Sequence, residues 1–131
     1  MRFFFDENFS PRIVRALGCL ADTDGDIAVP LRDKFTNGID DEDYIEVLCA
    51  EGNWVVATLD PHIVRKPHIL KAWQSAGLVV LFFRGSWPKL GFWGMAWKLV
   101  KRWPELRERT AEARQGTIIE VPVSGSLRRH G

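Results

Sequence analysis

The sequence predicts an α/β fold, a three-layer α/β/α sandwich built around a mainly parallel sheet. Short apolar runs that carry almost no charge recur along the chain, and segments with helical features alternate with them. Strands that are apolar throughout are typical of a parallel sheet covered by helices on both faces. Right-handed crossovers between such strands then produce three layers.

Five apolar runs are expected to form strands. They cover residues 2–6, 27–31, 54–59, 78–83 and 117–121. In the second run Pro30 is expected to lie near the end of the strand, because proline cannot donate a hydrogen bond to a neighbouring strand.

The segments between the strands have helical features. Ser10 and Pro11 are a preferred cap and a preferred first residue of a helix over 12–17, which Gly18 is expected to end. Further helices are expected over 44–50 and 68–76. A last helix over 92–103 is expected to kink or restart at Pro104 and to continue over 105–114. Residues 1–123 are expected to form one domain, followed by a flexible basic tail over 124–131.

Composition is that of an ordinary globular domain. The chain has 131 residues, a hydrophobic share of 46% and a net charge of +1, so any basic patch that binds nucleic acid must be local. The two cysteines, Cys19 and Cys49, fit no zinc spacing, and we expect buried thiols in a reducing compartment. Without a leader pattern or a long apolar run, a cytoplasmic protein with no membrane partner is expected.

Acidic residues follow two of the predicted strands. Asp6 ends the first strand, Asp60 comes directly after the third, and Asp41 opens a helix. Because the carboxyl ends of parallel strands share one edge, where ligands bind, the three carboxylates are expected to meet there. A structural role for each is the alternative: Asp6 and Asp60 shape turns and Asp41 caps a helix.

Three carboxylates in one place need a cation to stay ionised together. Oxygen ligands suit Mg²⁺ or Mn²⁺, and such an ion favours phosphodiester hydrolysis. Thr58 and Asn8, each two residues from one of the acids, are expected to support the site with polar contacts.

Four stretches resemble the PIN-like domain family, in particular VapC-type ribonuclease toxins of bacterial toxin–antitoxin pairs. They are "FFFDENFSPRIVRAL", "LRDKF", "DDEDYIEVLCAEGNWVVATLD" and "AGLVVLFF". The resemblance implies a Mg²⁺- or Mn²⁺-dependent endoribonuclease whose metal ligands and catalytic acids are Asp6, Asp41 and Asp60, with Asp43 as the rival for the middle position. It also implies a cognate antitoxin as partner. PIN-like domains often carry a fourth acid shortly after the third, whereas this chain has His62 there, which counts against a second metal. His62 is instead a supporting candidate that could contact the phosphate or a water, with an exposed polar residue as the alternative.

Basic residues near the acids are candidates for holding the RNA backbone. They are Arg12, Arg32, Lys34, Arg65 and Lys66. Arg32, Lys34, Arg65 and Lys66 follow strands and are expected to border the edge of the sheet that carries the acids. Solubilising surface charge is the alternative interpretation for each.

The chain contains six tryptophans. Aromatic residues can stack on unpaired bases, but the helical spacing of Trp93, Trp97 and Val100 favours packing in the core instead. Trp87 and Phe92 are expected to be exposed and to contribute to a homodimer or antitoxin surface.

Two other functions fit the same pattern less well. A catalytically silent PIN-like protein would keep the fold and bind RNA or a partner. A phosphoacceptor receiver domain would need a lysine at the end of a later strand, but the fourth strand ends in "FFRGSW" and the last in "VPVSG".

Overall fold

The structure is a computed structural model that describes residues 1–36 and 38–130. Within that part, the side chains of Asp41, Ile63 and Val64 lie outside the description. The described residues form one sheet with the strand order β2-β1-β3-β4-β5-β6. All neighbouring strands pair in parallel except β5 and β6, which pair antiparallel.

The expected alternation of strands and helices is confirmed. The strands are β1 (Arg2–Phe5), β2 (Ile27–Pro30), β3 (Trp54–Thr58), β4 (Val79–Phe83), β5 (Ile118–Val121) and β6 (Arg128–Arg129). The helices are α1 (Pro11–Ala21), α2 (Leu31–Lys34), α3 (Asp41–Glu51), α4 (Pro61–Arg65), α5 (Pro67–Ser75) and α6 (Gly91–Glu112). Short 3₁₀ turns cover Asp22–Asp24 and Trp87–Leu90.

Two hydrophobic layers enclose the sheet, as the apolar strands predict. On one face Phe3 and Phe5 of β1 pack with residues of α1 and α6, and on the other face Phe4 packs with residues of α3 and α5. The alternation along β1 follows from the period of two in a strand. The result is the expected α/β/α sandwich with a mainly parallel sheet.

Helix α1 runs past Gly18, which was wrongly expected to end it. The helix continues to Ala21 because Gly18 has a packing role: a Cβ atom there would lie 2.9 Å from the carbonyl oxygen of Ala28 in β2. The glycine therefore allows the helix to pack closely on the sheet.

Helix α6 is continuous through Pro104 rather than being restarted there. Residues 124–131, expected to be a flexible tail, include β6, which pairs with β5 through Glu120 and Arg128. His130 adds a side-chain contact of 2.7 Å to Glu120. The flexibility of this segment stays a prediction.

The buried face of α6 is not the one that the sequence predicts. Met95, Leu99 and Leu106 pack inward, while Trp93 and Trp97 are 81% and 60% exposed. The predicted burial of those two tryptophans and of Val100 is therefore wrong, since the inward face is rotated away from them.

The two residues predicted to be exposed at the start of α6 have different positions. Trp87 is fully buried, and its indole donates a hydrogen bond of 2.9 Å to Val121 O. Phe92 is exposed, as expected.

The cysteines also differ from the expectation of two buried thiols. Cys19 is exposed, and Cys49 is only partly buried between α3 and α5. Burial raises the pKa of the Cys49 thiol. Among the described residues, no helix has the length and apolar character needed to cross a membrane.

Candidate active site

The chain order places a crevice between β1 and β3 at the carboxyl edge of the sheet. From β1, the chain passes first to β2 on one side and later to β3 on the other. Such a reversal leaves a gap between the two connections, and ligands of open α/β sheets bind there. Asp6 directly follows β1, and Asp60 lies two residues after the end of β3.

Asp6 is buried in this crevice. Its backbone N–H still continues the ladder, donating to Ala57 O at 3.1 Å, and its side chain is 2% exposed. The Phe5–Ala57 pairing in β1 and β3 sets Asp6 beside Thr58. The carboxylate is therefore held by the sheet itself and not by a mobile loop.

Thr58 connects the two strand ends. The Thr58 hydroxyl donates to Asp6 Oδ2 at 2.5 Å, and Thr58 Oγ1 accepts the backbone N–H of Asp60 at 3.0 Å. The threonine is fully buried. The "TLD" stretch at 58–60 thus has a defined geometry, in which the threonine fixes the acid of β1 relative to the backbone that carries Asp60.

The two acids also have local hydrogen bonds. Asp6 Oδ1 accepts the backbone N–H of Asn8 at 3.1 Å, and Asp60 Oδ1 accepts the backbone N–H of His62 at 2.8 Å. Each is a turn closed by an aspartate, as the structural interpretation of these acids predicts. In the structure, Asn8 and His62 contact the two carboxylates through their backbone N–H groups.

Burial raises the pKa of Asp6 from 3.8 to about 6. Removal of the carboxylate from water is the main cause, and the negative charge of Asp60 adds to it. The hydroxyl of Thr58 and the backbone amides of Asn8 and Leu59 act in the opposite direction, because they stabilise the ionised form. The two carboxylates are therefore close enough to repel each other.

The third expected acid is only partly described. Asp41 is the first residue of α3, as expected for a helix start, but its side chain lies outside the described residues. Asp43 is exposed, and its backbone N–H donates to Asp40 O at 3.1 Å. Among the side chains that the structure does describe, no three of the types His, Cys, Asp and Glu are close enough to hold a metal ion together.

The expected RNA-binding cations divide into two groups. Arg65 and Lys66 come shortly after Asp60, at the end of α4 and the start of α5, and both are exposed. Lys34 lies instead at the amino end of β3. Its ammonium is 2.9 Å from Glu51 Oε1 and 5.0 Å from the ring centroid of Trp54.

Lys34 thus differs from the expectation that it borders the acids, because the short helix α2 carries it back along the sheet. Arg12, near the start of α1, and Arg32, on α2, are both exposed. The ion pair between Arg15 and Asp33 joins these two helices, with 2.5 Å between Nη2 and Oδ1.

Comparison with known families assigns the fold. The model of the family described as "PIN like domain" matches residues 1–85, which include both strand-end acids, the start of α3 and β4. The chain belongs to the PIN-like domain family. Domains of this family are generally nucleases and typically use divalent metal ions. No curated protein and no solved structure matches the chain.

The chemistry of the site fits such an ion. Asp6 and Asp60 offer only oxygen donors, which is the set that Mg²⁺ and Mn²⁺ prefer. Both oxygens of Asp6 accept hydrogen bonds, yet a carboxylate has about four lone-pair positions and retains the capacity to bind a cation. A divalent ion between these PIN-like acids would offset the cost of burying the Asp6 carboxylate, which is the main cause of its raised pKa, and also the smaller repulsion from Asp60.

Proposed function

We propose that this PIN-like protein is a metal-dependent endoribonuclease and the toxin of a toxin–antitoxin pair. The observation that carries the proposal is the Asp6–Thr58–Asp60 connection at the crevice between β1 and β3. Two acids from distant positions in the sequence are held beside each other by a buried threonine. This arrangement, in a family of nucleases, favours hydrolysis of a phosphodiester bond.

The residues of the chain have separate tasks in this proposal. Asp6 and Asp60, with Asp41 as the third ligand, would hold Mg²⁺ or Mn²⁺. The bound ion supplies charge stabilisation at the phosphate and a more acidic water. Thr58 holds Asp6 in position and lowers its pKa, which keeps more of the carboxylate ionised near neutral pH. Arg65 and Lys66 would contact the phosphates of the RNA.

The direct test is cleavage of an unstructured RNA by purified protein with Mg²⁺, with Mn²⁺ and with a chelator. We expect cutting with either or both metals and none with the chelator. Asp6→Asn and Asp60→Asn should reduce cutting to the level seen with the chelator. Asp22→Asn is the matched control, because Asp22 is an exposed acid between α1 and β2, at the other end of the sheet. Cutting that survives in Asp60→Asn contradicts the proposal.

The middle acid can be identified in the same assay. The proposal places it at Asp41, the first residue of α3, and not at Asp43. Asp41→Asn should abolish cleavage, whereas Asp43→Asn should retain it. The opposite result would move the third ligand to Asp43 and leave the rest of the proposal unchanged.

The toxin assignment needs a cellular test. Expression of the wild-type chain should arrest bacterial growth, and Asp60→Asn should not. Co-expression of a small protein encoded next to this gene should relieve the arrest if that protein is the antitoxin. A nuclease that cuts RNA in vitro but leaves growth unaffected would retain the enzyme assignment and lose the toxin assignment.

A catalytically silent RNA-binding protein is the second candidate. The deep burial of Asp6 favours it, because a side chain that is only 2% exposed offers a metal ion little access. Mn²⁺ binding separates the two candidates: the enzyme should bind the ion in an Asp6-dependent way, and the silent protein should bind RNA equally well with a chelator and never cut it.

A further inference from the structure

The first half of α6 exposes an aromatic surface. Trp93 and Trp97, one helical turn apart, are 81% and 60% exposed, and Phe92 and Val100 are exposed beside them. The rings of Phe92 and Trp93 meet edge to face with centroids 5.3 Å apart. Exposed indoles at this density are unusual for a surface that contacts only water. We call the residues Phe92, Trp93, Trp97, Lys98 and Lys101 the α6 platform.

Cations accompany the rings of the α6 platform. The ammonium groups of Lys98 and Lys101 lie 5.5 Å and 4.9 Å from the ring centroid of Trp97. Both distances are within the range of a cation–π contact. An aromatic face bordered by lysines can stack on an unpaired base while the ammonium groups contact the neighbouring phosphates.

The α6 platform belongs to a segment of the chain that is positively charged. Residues 61–104 contain eight lysines and arginines and no aspartate or glutamate. Because the whole chain has a net charge of only +1, the remaining residues carry the negative balance. Arg102 and Arg84 are already engaged within the fold. Arg102 donates to Pro122 O and Gly125 O at 2.6 Å and 2.7 Å, and Arg84 pairs with Glu120 at 2.7 Å. The surface of this segment is therefore complementary to a polyanion.

The α6 platform lies at the same edge of the sheet as the acids. Trp87, just before α6, bonds to Val121 at the carboxyl end of β5, and Phe83 at the carboxyl end of β4 contacts both Trp87 and Phe9. From there α6 runs towards the amino edge, where Arg107 forms an ion pair with Asp26. The first turns of α6, with Trp93 and Trp97, are thus at the carboxyl edge that Asp6 and Asp60 occupy.

We propose that the α6 platform binds single-stranded RNA by base stacking and leads that strand to the carboxylates. This inference rests on the proposed nuclease function and names the form of RNA that the site takes. A second copy of the chain fits the surface less well, because a two-fold interface through this surface would contain Lys98 and Lys101 from both copies, and four positive charges in one interface repel each other. An acidic protein partner is the other possible occupant, and the test distinguishes it.

The test measures binding separately from cleavage. A fluorescein-labelled unstructured 12-nucleotide RNA is titrated with the protein in a chelator, with fluorescence anisotropy as the readout, beside a hairpin duplex of the same length. Trp93→Ala and Trp97→Ala are each expected to weaken single-strand binding about 5- to 150-fold, the range for the loss of one stacked base. Val47→Ala is the matched control, because Val47 is an exposed apolar residue on α3.

The lysines are tested by the salt dependence of binding. Lys98→Gln with Lys101→Gln should make the slope of log K against log salt shallower by about 1.4, since each phosphate contact to a single strand contributes about 0.7. Arg114→Gln, which removes one exposed cation beyond the end of α6, should leave the slope unchanged. These variants do not alter the aromatic residues, so they test the surface even where a tryptophan variant folds poorly.

Each outcome decides the inference. Weaker binding in the tryptophan variants with unchanged binding in Val47→Ala supports it. Equal binding of the variants and the wild type overturns it, and so does the absence of single-strand binding or equal, tryptophan-dependent binding of the duplex. RNA binding that needs no α6 residue, together with tryptophan-dependent capture of an acidic antitoxin, assigns the surface to a protein.

The same experiments separate this inference from the proposed nuclease function. If Asp6→Asn binds RNA as the wild type does while neither protein cuts RNA, only the proposed nuclease function fails.

Discussion

Replacement of Asp6 by asparagine should stabilise the metal-free protein at high pH. Asp6 is buried beside a second negative charge, and the ionised form is the costly one. Asparagine has almost the same shape and cannot ionise. Its carbonyl oxygen can still accept the N–H of Asn8, and its amide can donate to the Thr58 oxygen.

The magnitude follows from the two pKa values of Asp6. The carboxyl titrates at 3.8 in the unfolded chain and at about 6 in the folded protein. The folded state therefore binds the proton more tightly, and stability falls as the pH rises from 3.8 through about 6. The full cost of the ionised group above pH 7 is about 3 kcal/mol, at 1.36 kcal/mol per pH unit. This cost is already net of the hydrogen bond from Thr58, which lowers the pKa of Asp6.

The assay is urea unfolding of both proteins from pH 4 to pH 8 in a chelator. The difference in unfolding free energy, variant minus wild type, should grow by about 2–3 kcal/mol across this range. Asp33→Asn is the control of opposite sign. The hydrogen bond from Arg15 lowers the pKa of Asp33, so this carboxylate stabilises the fold above pH 3.8 and loses that effect as the pH falls. Asp33→Asn should therefore be less stable than the wild type at pH 7.

A difference between Asp6→Asn and the wild type that stays flat from pH 4 to pH 8 would refute the reasoning. It would mean that Asp6 ionises in the folded protein as it does in the unfolded chain. Addition of Mn²⁺ at pH 8 gives a second check, because an ion bound only by the folded state raises the unfolding free energy. The rise should occur in the wild type and not in Asp6→Asn.

Three further predictions concern the hydrogen bonds and packing of the fold. Thr58→Val should lower the unfolding free energy by about 1.5–3 kcal/mol at pH 8 and raise the pKa of Asp6 further, because it removes a hydrogen bond to a buried charge. Thr58→Ser should retain most of the stability, and urea unfolding measures both variants. Gly18→Ala should lower the unfolding free energy by about 1–3 kcal/mol, since its Cβ would lie 2.9 Å from a backbone oxygen of β2, and a stabilised variant would contradict the packing described for α1. Trp87→Phe should lower the unfolding free energy by about 1 kcal/mol more than Trp103→Phe. The Trp87 indole donates a hydrogen bond, whereas the buried Trp103 indole has no hydrogen-bond partner among the described residues. Thermal unfolding of the two variants checks this.

The fold could be predicted from the sequence because its strands are apolar on both sides. Phe3, Phe4 and Phe5 pack alternately on the two faces of the sheet, and only a central parallel strand buries three such residues in a row. The positions of Asp6 and Asp60 follow from that prediction alone. The connection through Thr58 does not, because it depends on the register of β1 against β3, which the sequence leaves open.

The face of α6 could not be predicted from its spacing. Two sets of apolar residues follow helical periodicity in this helix, one with Met95 and Leu99 and another with Trp93 and Trp97. Hydrophobicity favours the tryptophans for the core, and only the packing against β1 and α1 selects the other set. The long stretch without acids at 61–104 is the sequence feature that agrees with the proposed RNA surface on α6.

The energetics of Asp6 favour function over a purely structural role. A turn-forming role requires only an acceptor for the N–H of Asn8, and an asparagine oxygen supplies that acceptor without an ionised group. The carboxylate instead lies buried beside Asp60 and is held by a buried threonine, at a cost to stability of about 3 kcal/mol above pH 7. Sites that bind a cation or perform chemistry are where such a cost is ordinarily found. The buried charge supports the proposed cation site. Asp6→Asn tests that proposal in two ways, because the variant should gain stability in a chelator and should lose Mn²⁺ binding.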